Sequence, residues 1–89
     1  MKAIITVNAK DTVGIIAFVS TYLSEHNVNI LDISQTILQD SFVMIMLVDC
    51  AKGNLPFDAL REGLISLGEE RNVVIHVQRE DIFNAMHNI

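Results

Sequence analysis

The sequence predicts an α+β two-layer sandwich with the element order β-α-β-β-α-β and a short helix appended at the C-terminus. Three observations predict it. Short runs rich in β-branched residues alternate with segments of helical apolar spacing. The chain has 89 residues, enough for one hydrophobic core and no more. Apolar residues make up 51% and charged residues 19%, and Pro56 is the sole proline, which excludes the disordered, linker and low-complexity classes.

The elements follow in order. Ala3 to Asn8 is short, β-branched and bounded by the polar group Asn8 to Thr12, as a first strand should be. From Ile15 the spacing changes: Ile15, Phe18, Val19, Tyr22 and Leu23 fall at i, i+3, i+4, i+7 and i+8, which predicts an amphipathic helix over 13–26. Asp11 and Thr12 are candidate caps at its start. His26 and Asn27 supply a cation-capable side chain and a residue tolerant of left-handed backbone at its end. Val28 to Leu38 alternates, with Leu31, Ile33, Gln35 and Ile37 on one face and Asp32, Ser34 and Thr36 on the other, the pattern of an edge strand. Gln39-Asp40-Ser41 turns the chain into Phe42 to Val48, whose two faces are both apolar, so this strand should be central and covered on both sides.

Asn54 is a candidate cap for a second helix with Pro56 in its first turn and Phe57, Leu60, Leu64 and Leu67 on one stripe. Gly63 inside that helix reads as tolerated, at a cost of about 1 kcal/mol relative to alanine. Gly68 to Asn72 should end it. Val73 to Gln78 predicts a fourth strand, and residues 80–89 a short helix with Ile82, Phe83, Met86 and Ile89 on one stripe. This order is the split βαβ arrangement: a four-stranded antiparallel sheet, strands one and three central, two helices on one face. The other face would be covered by the terminal helix and a second subunit. The mean hydropathy of +0.39 also argues that surplus apolar surface goes into a partner.

Composition narrows the function. A formal charge of −5, with the six basic residues scattered, argues against a nucleic-acid surface, which needs clustered Lys and Arg. One cysteine, no leader-like N-terminus and a longest apolar run of Phe42 to Val48 lead to the expectation of a cytoplasmic protein that does not span a membrane. His26, His76 and His87 show no metal-binding spacing, Cys50 has no C-x-x-C partner, and no nucleophile elbow, phosphate loop or dinucleotide fingerprint occurs. We expect no enzyme, metal or cofactor. His26 reads as a helix-end dipole partner, His76 as a sheet-surface residue, Cys50 as a small buried or half-buried thiol, and Met44 and Met46 as core or interface packing.

The informative feature is the first strand-to-helix junction, Ala9-Lys10-Asp11-Thr12-Val13-Gly14-Ile15. A helix N-terminus presents free N–H groups and a positive dipole end, which suit a carboxylate, and Gly14 would let a ligand or another backbone approach. Local pattern alone is read more simply as Asp11 capping its own helix and Gly14 packing on the sheet, since capping is the usual role of such residues. With Asn27-Val28-Asn29-Ile30 at the entry to strand two and the β-α-β-β-α-β order, the junction resembles that of an ACT domain, the small ferredoxin-like regulatory amino-acid-binding module. The likeness covers residues 1–79, as the core of a single domain 1–89. Residues 80–86 further resemble a family of small, stand-alone bacterial ACT proteins of unassigned activity.

The resemblance implies a ligand site formed by Asp11, Thr12, Val13, Gly14 and Ile15 of one chain, with Asn29 and Ile30 of its dimer partner. Asn29 would donate to a carboxylate and accept from an ammonium, Asp11 would accept from the ammonium, and the Val13 to Ile15 N–H groups would hold the carboxylate. Serine-sensing members carry a histidine where Ala9 stands, and the usual proline or arginine of the loop is replaced by Thr12 and Val13. These departures mean a different specificity or a lost affinity. The resulting expectation is a homodimeric amino-acid sensor acting on a separate, unidentified regulated protein. The alternative is a protein–protein interaction module without a ligand of its own.

Overall fold

The computed structural model describes residues 1–10 and 14–81. Its elements are β1 (Lys2–Ala9), α1 (Ile15–Glu25), β2 (Asn29–Leu38), β3 (Ser41–Asp49), α2 (Phe57–Glu70) and β4 (Val74–Arg79). The strands form one antiparallel sheet in the order β2-β3-β1-β4, so β1 and β3 are central and β2 and β4 are edges, as the alternation predicts. Boundaries differ from the sequence expectation by a residue or two at most ends, the usual fraying of terminal hydrogen bonds. Helix is assigned at Glu80 and Asp81. The rest of the expected terminal helix, with its stripe Ile82, Phe83, Met86 and Ile89, lies outside the described residues.

The core is a single layer between helices and sheet. Ala3, Ile5 and Val7 of β1, Phe42, Met44, Met46 and Val48 of β3, and Ile75 and Val77 of β4 meet Ile15, Val19 and Leu23 of α1 and Leu60 and Leu64 of α2. All are buried, and no polar or charged residue is buried among the described residues, so the layer coheres by apolar burial alone. Met44 and Met46 are fully enclosed, as expected of residues that fill irregular gaps.

Several local expectations are corrected. The opposite face of β3 is not covered by the described chain: Ile45 is 42% exposed and Val43 and Leu47 are only half-buried. The pairing register places Ile4, Thr6 and Asn8 of β1 beside them on this open face, with Val74, His76 and Gln78 of β4. The simple alternation of β2 is broken by a bulge between Ile30 and Asp32, which leaves Leu31 out of the pairing register. Ile33, Gln35 and Ile37 still pair opposite Met46, Met44 and Phe42 on the helix side. Gly63 is not merely tolerated: a β-carbon there would overlap the Tyr22 hydroxyl. Gly68 lies inside α2 and packs against the Val73 carbonyl. The turn that ends α2 comes at Asn72, φ 59°, a left-handed conformation matched by Asn27 after α1.

Asn54 does not cap α2. Pro56 is the N-cap, with the Leu60 N–H donating to its carbonyl at 3.0 Å. Asn54 reaches instead to the end of α1, its Oδ1 3.0 Å from His26 Nδ1 and its Nδ2 donating to the Glu25 carbonyl at 3.3 Å. The Asn54 N–H donates to the His26 carbonyl and Asn27 Nδ2 to the Lys52 carbonyl. These bonds clamp the α1–β2 joint to the β3–α2 loop. They fix where β2 begins.

Candidate functional site

The junction expected to bind a ligand begins where β1 ends at Ala9. Asp11, Thr12 and Val13 lie outside the described residues, so the structure places only Gly14 and Ile15 of the loop part. Gly14 is the N-cap of α1, with φ 74°, and among the described residues no side chain caps the helix. The first intrahelical bond runs from the Phe18 N–H to the Gly14 carbonyl at 2.9 Å. The N–H groups of Ile15, Ile16 and Ala17 are therefore left without intrahelical acceptors, the arrangement that favours an anion. A β-carbon on Gly14 would meet nothing within 4 Å. The left-handed backbone by itself favours glycine there. The Ile15 side chain is buried in the core, so only its backbone faces the junction.

Asn29 and Ile30 lie at the opposite end of the same sheet. The register pairs Asn29 with Asp49 and Asp49 with Lys2, the first residue of β1, whereas Gly14 follows the last. The eight residues of β1 span about 23 Å at roughly 3.3 Å per residue, so one chain cannot bring the two halves of the expected site together. Each half lines its own hollow. Asn29 and Ile30 line one of about 520 Å³ with Ser20, Ser24, Asn27, Asp49 and Lys52. Ile15 lines another of about 580 Å³ with Lys10, Phe18, Arg71, Val73 and flanking residues.

Side chains that sequence reasoning did not assign to a site therefore appear in both hollows. Lys10 and Arg71 are far apart in the chain and line one hollow because β1 and β4 are neighbours, a pairing that local pattern does not encode. Arg71 lies over the Phe18 ring, its guanidinium carbon 4.8 Å from the centroid. In the first hollow Asp49 and Lys52 bring opposite charges beside Asn29, although Asp49 Oδ1 already accepts from the Ala51 N–H at 2.9 Å.

Among the described residues, two titratable groups have clearly shifted ionisation. Burial pushes the Cys50 thiol up; the N-terminal ammonium opposes that shift and Asp49 adds to it. Burial likewise raises the Tyr22 hydroxyl. Both shifts suppress ionisation, the reverse of what an activated nucleophile or general base requires. His76 is exposed on the open sheet face opposite Thr6, and His26 is held by Asn54 and lies against Tyr22, ring centroids 4.5 Å apart. Among the described residues no cluster of three or more His, Cys, Asp or Glu side chains could hold a metal ion, and no helix is long and apolar enough to cross a membrane.

Comparison with known proteins agrees with this architecture. A profile of the ACT domain matches residues 2–78. A UPF0237 protein of Bifidobacterium longum is 57% identical over 99% of this chain and 98% of its own length. An archaeal UPF0237 protein, from Methanopyrus kandleri, is 48% identical over 99% and 98% of the two chains. Among solved structures, an ACT domain protein from Streptococcus pneumoniae superposes with a TM-score of 0.83 at 43% identity, covering 93% of each chain.

Proposed function

The chain belongs to the ACT domain family, and on that premise we propose that it is a homodimeric regulatory domain that binds a small amino acid and acts on a separate protein. The observation that carries this reading is the placement of the two half-sites at opposite ends of one sheet, beside a free edge. All of β2 except Ile30, which is half-buried, is exposed, including Ile37 at 69% and Leu38 at 62%. The outer edge of this ten-residue strand, whose inner edge pairs with β3, is a template for another strand. Antiparallel pairing of β2 with its own copy about a two-fold axis would extend the sheet to eight strands. Because Leu38 lies at the same end as Ala9, that pairing would carry the partner's Asn29 to the Gly14 end.

In that arrangement the free N–H groups at the start of α1 would hold the ligand carboxylate. Asp11 would accept from the ammonium, and the partner's Asn29 would bond both groups. Thr12 and Val13 would complete the loop, with Ile30 behind Asn29. The protein carries no cofactor in this reading, works in the cytoplasm and does no chemistry on its ligand. The alternative, an interaction module without a ligand, is favoured by Ala9, half-buried and packed against the core where serine-sensing relatives use histidine.

Calorimetric titration of the twenty amino acids, paired with sedimentation of the same sample, tests the proposal. A saturable heat for one amino acid, lost in Asn29→Ala and Asp11→Ala while dimer mass is retained, supports the sensor. A folded dimer silent to the whole panel supports the interaction module. A folded monomer refutes the shared site.

A further inference from the structure

We infer that Asn54, acting with His26 and Asn27, is a positioning residue for the shared site: it holds the entry to β2, so that Asn29 is presented to the partner subunit from a fixed place. This role rests on the shared-site reading above, and all of its parts lie among the described residues. Asn29 is exposed and its side chain bonds no other described residue. What its amide can reach is therefore set by its backbone. That backbone begins a strand at the edge of the sheet, where pairing on one side only leaves a strand end easily opened. Contacts from outside the ladder must hold it.

The loop after β3 supplies them from two directions. At its near end Asp49 pairs with Asn29 in the strand register, and its Oδ1 accepts from the Ala51 N–H at 2.9 Å. At its far end the Asn54 N–H donates to the His26 carbonyl at 3.1 Å, and Asn54 Nδ2 donates to the Glu25 carbonyl at 3.3 Å. Between these ends Asn27 Nδ2 donates to the Lys52 carbonyl at 2.7 Å. Gly53 lets the loop lie close to the joint, since a β-carbon there would stand 3.2 Å from the Cys50 carbonyl oxygen and 3.6 Å from the His26 carbonyl oxygen and from Val28 Cγ2. An asparagine suits position 54 for a specific reason. Its Nδ2 is committed to a carbonyl, so Oδ1 faces His26 Nδ1 at 3.0 Å, and the imidazole must carry a proton on that nitrogen. An amide supplies both the donor and the acceptor, whereas a carboxylate supplies the acceptor alone. The side-chain bonds join residues 25 to 29 positions apart and belong to no helix or strand ladder. Removing them should loosen the joint and spare the core.

The test is amide hydrogen exchange followed by NMR on the parent chain, Asn54→Ala, Asn54→Asp and Val77→Ala, with calorimetry of the twenty amino acids and sedimentation of the same samples. In Asn54→Ala the Val28 N–H, which donates to the Leu23 carbonyl at 2.9 Å, should exchange about tenfold faster relative to the amides of β1 and β3. Val77→Ala opens a cavity in the core at the far edge strand, and should speed the joint and the central strands together. Asn54→Asp keeps the acceptor for His26 and loses the donor to Glu25, so the acceleration at Val28 should fall to about threefold. The amino acid that gives a saturable heat with the parent should bind Asn54→Ala about tenfold more weakly at unchanged dimer mass. Two results overturn the role of Asn54 and leave the shared site standing: exchange in Asn54→Ala that rises uniformly or not at all, or an affinity equal to the parent's. A parent protein silent to all twenty amino acids refutes the shared site itself, and the role falls with it whatever the exchange shows.

Discussion

Gly63→Ala separates what the sequence suggests from what the packing requires. Alanine in a helix interior is normally worth about 1 kcal/mol over glycine, so helix propensity alone favours the substitution. In the structure the new methyl would overlap the Tyr22 hydroxyl and lie 2.9 Å from Cζ, so the ring must move. Its displacement disturbs the contact with His26 and opens the α1–α2 seam. Overpacking of this kind costs about 1–3 kcal/mol, and the net expectation is a loss of about 1 kcal/mol. In a Tyr22→Leu background the obstacle is gone, and Gly63→Ala should then gain about 1 kcal/mol. The coupling energy of about 2 kcal/mol is read from urea unfolding of the four proteins at one fixed concentration, because any dimer makes the midpoint depend on concentration. Stabilisation by Gly63→Ala in the parent, or coupling below about 0.5 kcal/mol, would refute the reasoning.

Gly68→Ala meets backbone instead of a movable ring, with its β-carbon 2.6 Å from the Val73 carbonyl oxygen; a loss of about 2–3 kcal/mol in urea unfolding is expected. Gly14→Ala should cost about 1–2 kcal/mol through its left-handed backbone alone, and Gly14→Asn should recover part of it. Ile37→Lys places a charge on the β2 edge and should convert a dimer to a folded monomer by sedimentation with unchanged circular dichroism. Cys50 should react slowly with a disulfide reagent at pH 8, and faster as pH rises, because burial raises its thiol. The sign for stability follows: the buried neutral thiol contributes fully below the ordinary thiol range and that contribution is lost as pH rises through the raised value, a slope that Cys50→Ser should remove.

Much of the fold is legible because its signals are local. The alternation Ala3, Ile5, Val7 and the doubly apolar run from Phe42 to Val48 place the two central strands. The spacing of Ile15, Val19 and Leu23 places the buried face of α1. What sequence left unread depends on contacts between distant segments. Asn54 looks like a helix cap, yet its side chain finds better partners at the end of α1. Gly63 looks incidental until Tyr22 of the other helix is set beside it. The bulge at Leu31 has no residue signature. The expected site is recognisable as Gly14 and Asn29, but only the strand register shows that one chain holds them at opposite ends. Lys10 and Arg71 share a hollow through topology, which no spacing rule reports.

That opposed placement of Gly14 and Asn29 carries a thermodynamic consequence in the dimeric reading. When neither chain holds a whole site, ligand binding and subunit association become one linked equilibrium: ligand tightens the dimer, and dilution lowers the apparent affinity for ligand by the same coupling. The abundance of the protein then becomes an input alongside the concentration of the metabolite. A scarce chain stays unresponsive at ligand levels that saturate an abundant one.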